Sequence, residues 1–239
     1  IGEIWFAGPA DLPLLAKYIF TSERLSIQVH PNDTEAQARG LERGKSECWL
    51  VLEAEPDAQI GLGLTRSISG EELRSSALDG GIEQLMDWRP VRSGDFLYVP
   101  AGTVHAIGAG ISLLEFQQNA DATFRLYDYG RPRELHLDDA VAVSRPGPYP
   151  AELGQHILKA ETRVLVSGPH FSLVHIGRDG EANDYLADRR RWVLPLAGLA
   201  TAGGVSATPG ECLLVEPGEP LQEPWTRMLV GAAGELKKA

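Results

Sequence analysis

Short apolar runs, closed at both ends by turn formers, are the feature that most limits how this chain can fold. They include "RLSIQVH", "ECWLVLEA", "QIGLGL", "DFLYVP", "ISLLEFQQ", "FRLYDYG", "FSLVHIG", "RWVLPLAG" and "ECLLVEP". Runs of this length, rich in Val, Ile, Leu and aromatics, read as the short strands of an all-β sandwich or barrel. The 26 glycines and 16 prolines are spread along all 239 residues and supply the turns. Helical patterning is confined to three stretches. "DTEAQARGLERG" opens on a capping Asp33 and stops at Gly44; "SGEELRSSALDGGIEQLMDW" has Ser69 and Glu72 at capping-box spacing; "HLDDAVAV" adds a turn or two.

The chain carries a net charge of -11. That excludes a nucleic-acid-binding surface, which needs cations to neutralise phosphates. It leaves room for a small anionic substrate served by a few local cations. No apolar run approaches the ~20 residues of a membrane span, so no membrane partner is expected. No secretory leader is visible, and the first residue is Ile rather than Met. The chain is therefore expected to begin after a missing or removed segment. Cys48 and Cys212 lack metal or redox spacing and read as incidental thiols of a reducing, cytoplasmic compartment.

"GDFLYVPAGTVH" (Gly94 to His105) lines up with "GECLLVEPGEPL" (Gly210 to Leu221). Both read Gly, acidic residue, apolar strand, Pro-Gly-type turn, but Leu221 stands where the first copy has His105. Two related β units follow, joined near the Pro/Gly-rich "SRPGPYPAELG". Residues 1–145 are expected to form the first barrel and 146–239 a degenerate second one without metal ligands.

Strand alternation puts Gln28 and His30 of "LSIQVHPND" on one face. Lys45 and Glu47 of "GKSECWLVL" share a face by the same rule. With His105 these segments offer Gln28, His30, Glu47 and His105 as a nitrogen and oxygen ligand set suited to Zn²⁺, Fe²⁺ or Mn²⁺. One carboxylate leaves such a site with a formal positive charge that can polarise a substrate oxygen. In "TFRLYDYGR", Arg125 and Tyr127 alternate with Phe124 and Leu126, so both polar groups are expected to face one cavity. Lys45, Arg125, Arg131 and Arg133 are the nearby cations available to a phosphate.

The second segment matches the second cupin motif, Gly-x5-Pro-x-Gly-x2-His. The first motif departs from its usual form, with Gln28 in place of the first His and Glu47 only after a helical insertion. In this the chain resembles the type I mannose-6-phosphate isomerases. "IQVHPND", "GKSECWLVL", "PAGTVHAIGAG" and "LLEFQQNADATFRLYDYGR" stand in that family's order and spacing, and "IGEIW" is similar to its N-terminal stretch. The likeness is dense over residues 1–145 and loose beyond. "IGEIWFAGPADLP" departs from the family pattern at one edge of the site.

The resemblance implies cupin barrels and a zinc-dependent aldose-ketose isomerase acting on mannose 6-phosphate and fructose 6-phosphate through an enediol. One zinc ion would be held by Gln28, His30, Glu47 and His105. Arg125, Lys45, Glu115 and Asp121 match catalytic positions, and Lys45, Arg125, Tyr127 and Arg131 would bind a small anionic sugar phosphate. The base stays open between Lys45, Glu115, Asp121 and a water activated at the metal. Other classes compatible with the scaffold are a metal dioxygenase, against which Gln28 speaks, a sugar-binding or regulatory cupin without activity, and an isomerase for another sugar phosphate. Oligomeric state is not legible.

Overall fold

The computed structural model describes residues 2–6, 8–9, 11–178, 180, 185–222 and 227–236. The chain divides into two compact units, one of Ile1–Ile4 with Lys17–Gln155, the other of Trp5–Ala16 with His156–Ala239. Among the described residues no helix is long and apolar enough to cross a membrane. Cys48 and Cys212 are free thiols, the first buried and the second half-buried.

In chain order the first strands are β1 (Gly2–Trp5), β2 (Leu14–Thr21), β3 (Ile27–Val29), β4 (Glu47–Ala54), β5 (Gln59–Leu64) and β6 (Met86–Pro90). They continue as β7 (Asp95–Val99), β8 (His105–Ile107), β9 (Ile111–Gln118), β10 (Phe124–Tyr127) and β11 (Gly154–His156). One sheet has the order β1-β2-β9-β4-β7-β11 and the other β10-β3-β8-β5-β6. From β2 to β11 the chain changes sheet at every connection except β5 to β6. This is the double-stranded β-helix expected of a cupin. Ile19, Trp49, Val51, Ile60, Leu62, Val99 and Leu113 are buried together and come from both sheets, so the core lies between them. Helices α1 (Asp33–Gln37), α2 (Gly70–Asp79), α3 (Ile82–Leu85) and α4 (Leu137–Val143) occupy the connections. Leu73, Ala77, Ile82, Ala140 and Val143 cover the outer face of the smaller sheet, against Ile27, Val29, Phe124 and Leu126.

The second unit is built on β12 (Arg163–Ser167), β13 (Phe171–Ile176), β14 (Arg191–Ala197), β15 (Ala200–Ala202), β16 (Val205–Ala207), β17 (Leu213–Val215) and β18 (Arg227–Ala233). Five of these form a sheet of order β12-β13-β18-β14-β17, and β15 pairs with β16. Val174, Val193, Leu213, Val215, Leu221 and Val230 form its apolar interior.

The first helical stretch differs from expectation. Asn32, not Asp33, is the cap, and it forms a reciprocal capping box with Glu35. The helix stops at Gln37, because Gly40 at φ +77° turns the chain and Leu41 N–H closes onto Ala36 O at 3.0 Å, and the Asp33 carboxylate is used across the loop. It accepts from the Gly44 N–H at 2.8 Å and from Gln118 Nε2 at 2.9 Å. Lys45 N–H then donates to Pro31 O at 3.0 Å. The segment that delivers Glu47 is thus stitched to the end of the strand that delivers His30.

Gly44 permits that close approach. A Cβ there would sit 2.4 Å from the Asn32 carbonyl carbon and 2.5 Å from Pro31 O. Both are backbone atoms and cannot rotate away. Gly44→Ala is expected to lower stability by ~1–3 kcal/mol, the range for overpacking, measured as a fall in urea midpoint. A variant as stable as the parent would show that the loop can open at no cost.

Candidate metal centre

β3 lies between β10 and β8. Gln28 is opposite Arg125 on one side and opposite His105 on the other. Directly opposed residues of antiparallel strands project from one face, so Arg125, Gln28 and His105 form a row across the sheet. His30, two residues beyond Gln28, falls on the same face. Glu47 comes from the other sheet, where it opens β4 opposite Val99 and Gln117. The Pro100–Gly102 turn has a structural task of its own. Gly102, at φ +88°, donates its N–H to His30 O at 2.8 Å, tying the end of β3 to the approach of His105.

The three side chains converge. His30 Nε2 is 3.4 Å from Glu47 Oε2, and His105 Nε2 is 3.3 Å from Glu47 Oε1. One ligand atom from each of the three lies within 4.8 Å of the others, and all three residues are buried. His30 Nδ1 lies 2.9 Å from Ala122 O, and His105 Nδ1 lies 2.9 Å from Thr103 O. A carbonyl can only accept, so each Nδ1 carries the proton and each Nε2 presents its lone pair to Glu47. Gln28 brings its amide to within 3.3 Å of His105 Nε2, and Ser26 Oγ holds the amide oxygen at 3.2 Å. A half-turn of the amide would aim the oxygen inward and leave its NH₂ donating to Ser26.

Charges of both signs surround this cluster. Lys45 Nζ is 2.7 Å from Glu47 Oε2, 3.3 Å from His30 Nε2 and 3.6 Å from Glu115 Oε1. Lys17 Nζ pairs with Glu115 Oε1 at 3.0 Å, and Trp49 Nε1 donates to Glu115 Oε2 at 3.1 Å. Burial pushes the Glu47 carboxyl up, but Lys45, His30 and His105 hold it well below the usual carboxylate range. Burial likewise opposes the Lys45 charge, yet Glu115 and Glu47 hold its pKa above that of an ordinary lysine. Burial, reinforced by Lys45, lowers His30 to about 4. Burial lowers His105 as well. Both imidazoles are neutral at pH 7, the form that binds metals.

Two unprotonated imidazole nitrogens, each with one donor at 3.3 Å, and an ionised carboxylate therefore face one another in a buried interior. Among the described residues neither Glu47 oxygen has a hydrogen-bond partner; Oε2 is ion-paired to Lys45, and the neutral imidazoles turn lone pairs toward both oxygens. Such a cluster of acceptors calls for a cation. Donors about 2.0–2.2 Å from a tetrahedral ion sit ~3.3–3.6 Å apart, close to the spacings observed. Among the described residues this is the group of three His, Cys, Asp or Glu side chains placed to hold an ion.

The remaining candidates separate. Arg125 is half-buried beside Gln28, with its Nε buried and unpartnered. Glu115 is close to the set but engaged by Lys17, Lys45 and Trp49. Asp121 is exposed in the loop before β10, next to the Ala122 carbonyl that fixes His30. Tyr127 is not brought to the set. A register shift between Arg125 and Tyr127 breaks the alternation, and the ring packs with the helix-side cluster, 5.1 Å from the Tyr129 ring. Arg131 is also elsewhere. It holds Asp128 Oδ1 at 2.7 Å and Arg24 O at 2.9 Å, while Arg133 holds Asp128 Oδ2 at 2.6 Å. Lys17 and Trp49 join the site without having been singled out in the sequence. The signal for Lys17 was its place as the lone charge in "LLAKYIF".

Over 171 residues the chain is 43% identical to the mannose-6-phosphate isomerase of Streptococcus mutans, a match covering 67% of this chain and 53% of that protein. It is 40% identical over 181 residues to the mannose-6-phosphate isomerase ManA of Bacillus subtilis, covering 72% of this chain and 57% of that protein. The chain thus spans about half the length of the curated relatives it matches. The crystal structure of the mannose 6-phosphate isomerase from Bacillus subtilis superposes with a TM-score of 0.75 at 29% identity, covering 94% of this chain and 76% of that one. A zinc-bound holo mannose 6-phosphate isomerase shares the fold, with a TM-score of 0.66 at 15% identity, covering 93% of this chain and 79% of that one. No family model matches the chain.

The electrostatics carry a pH dependence. His30 titrates near 4 when folded and near 6.5 when unfolded. Between those values the unfolded chain binds more protons, so stability rises with pH and is lost as pH falls. The metal-free protein is expected to lose about 3 kcal/mol from His30 alone between pH 6.5 and 4, read from urea midpoints. His30→Gln should flatten that slope. Constant stability of the parent across the window would contradict a neutral, desolvated His30.

Proposed function

We propose that the chain belongs with the type I mannose-6-phosphate isomerases it resembles, and that its first unit is a zinc-dependent aldose-ketose isomerase site. The substrates are mannose 6-phosphate and fructose 6-phosphate. The observation that carries this reading is the acceptor cluster, in which the Nε2 lone pairs of His30 and His105 face the Glu47 carboxylate at 3.4 and 3.3 Å. His30, Glu47 and His105 would hold the ion, with the Gln28 carboxamide as a fourth donor. Zinc, when bound, polarises a substrate oxygen as a Lewis acid and brings no redox chemistry.

The chain's own residues do the rest. Lys17 and Lys45 balance Glu47 and Glu115 in formal charge, so a divalent cation makes the pocket doubly positive before Arg125 is counted. That surplus favours a substrate carrying a phosphate and a transition state that gains negative charge. The reaction moves a proton between C1 and C2 through an enediol, and the group that takes it from one carbon and returns it to the other is one of Lys45, Glu115, Asp121 or a water activated at the metal. Arg125, adjacent to Gln28 in the sheet and with an unused Nε–H, stabilises the developing negative oxygen. Lys45, ion-paired with Glu47 and Glu115, is placed to exchange a proton with a substrate oxygen. Glu115, already engaged by three donors, positions Lys45. Residues 146–239 act as the degenerate second barrel. A sugar phosphate is a charged metabolite that does not cross membranes unaided, so the reading places the reaction in the cytoplasm.

The test is metal content together with isomerase turnover on mannose 6-phosphate, before and after chelation. One zinc per chain is expected, with activity lost on chelation and restored by zinc. A zinc-loaded protein without turnover would leave a binding cupin in its place. Arg125→Ala is expected to lower kcat by about 10²–10³-fold, the size of a lost charge-stabilising donor, with zinc content unchanged. Turnover within a few-fold of the parent would remove Arg125 from this role.

A further inference from the structure

The internal repeat places a second polar group where the first unit has its metal carboxylate. In the first unit Glu47 on β4 faces Val99 on β7, and Trp49 faces Leu97. In the second, Arg191 on β14 faces Val215 on β17, and Val193 faces Leu213. The sequence repeat equates Val99 with Val215 and Leu97 with Leu213, so Arg191 holds the position of Glu47. The correspondence extends to the turn. Thr103, whose carbonyl takes the His105 Nδ1–H, is matched by Glu219, whose carbonyl accepts from Arg191 Nη2. Leu221 replaces His105 and is buried in the apolar interior.

Arg191 is fully buried, at 0% exposure. Among the described residues its Nε and Nη1 have no hydrogen-bond partner. Three N–H donors are therefore unused on a fully buried charged group, an arrangement that is costly without an anion. Burial pushes the guanidinium pKa down, with the Glu219 charge opposing. The Glu219 carboxylate lies over Gly203, where a Cβ would collide with it, and among the described residues it makes no ion pair with Arg191. A cavity of about 350 Å³ lies beside two neighbours of Arg191, although Arg191 itself is not among its walls. Its walls include Gly203, Cys212, Val215 and Glu219, so both the cross-strand neighbour and the hydrogen-bond partner of Arg191 line it.

We propose that the second unit binds a small oxyanion of the phosphate class at Arg191, the sign-inverted counterpart of the cation site in the first. An anion entering by the cavity has to pass the Val215 and Glu219 wall, and once past it supplies the acceptors that Nε and Nη1 lack. The site is built from second-unit residues alone and is independent of the catalytic reading.

The probe is inorganic phosphate, titrated calorimetrically into the zinc-loaded protein at constant ionic strength, with melting curves in phosphate and in chloride. Binding is expected to persist in Arg125→Ala, which separates it from the first unit, and to weaken at least about tenfold in Arg191→Met. In chloride Arg191→Met should melt no lower than the parent, because an unpaired buried charge has been replaced by an apolar side chain. Glu219→Gln keeps the carbonyl contact, removes a nearby negative charge and should bind phosphate more tightly. That variant decides the matter should Arg191→Met fail to fold. Phosphate binding unchanged in Arg191→Met, or abolished by Arg125→Ala alone, or no tighter in Glu219→Gln, would overturn the proposal.

Discussion

Three lone-pair donors facing one another in a dry core are the constraint on which the site depends. Two imidazoles with protons fixed on the outer nitrogen, and a carboxylate held ionised, repel unless positive charge stands among them. Lys45 supplies part of that charge at 2.7 Å from Glu47. Glu115 and Lys17 extend the arrangement into a run of alternating signs. Each buried charge is paired with the next, which makes an ionised cluster tolerable in an apolar interior. Loss of one member would strand its partner.

The fold makes this geometry by changing sheets. Residues separated by a turn fall on opposite walls, so His30 and Glu47 meet although 17 positions apart. Gln28, Arg125 and His105 meet for a different reason, since β3 has β10 on one side and β8 on the other. The loop after β3 closes the assembly. Asp33 reaches Gly44 and Gln118, and Pro31 O takes the Lys45 N–H. The Pro-x-Gly turn serves the metal centre through backbone, by binding His30 O.

The two units use one scaffold for opposite electrostatics. The same cross-strand register presents Glu47 in the first and Arg191 in the second. Changing the residue at one strand start, with Leu221 in place of His105, turns a cation-seeking interior into one with unused N–H donors. The repeat in sequence records a common frame, and the side chains at two positions set its sign.

The run lengths and turn residues made the all-β class legible, because a four-to-eight-residue apolar run between glycines and prolines has few ways to bury itself. Strand alternation likewise put Gln28 with His30, since a period of two holds wherever the strand is regular. It failed at Tyr127, where a bulge that no local pattern announces turned the side chain to the helix face. Asp33 read as a cap because capping chemistry is local, whereas its actual partners, Gly44 and Gln118, come from the loop's far end and another strand. Arg131 read as a phosphate cation, and only the folded turn shows its guanidinium already held by Asp128. Lys17 and Trp49 carried no motif; their roles exist only through Glu115 on a strand about a hundred and about seventy positions away. The sequence by itself determined strand character, the candidate residues His30, Glu47 and His105 that the fold brings together, and the turn that brings His105 in. Tertiary structure alone decided which charges neighbour one another, because cross-strand register and burial, not spacing along the chain, set distances and desolvation.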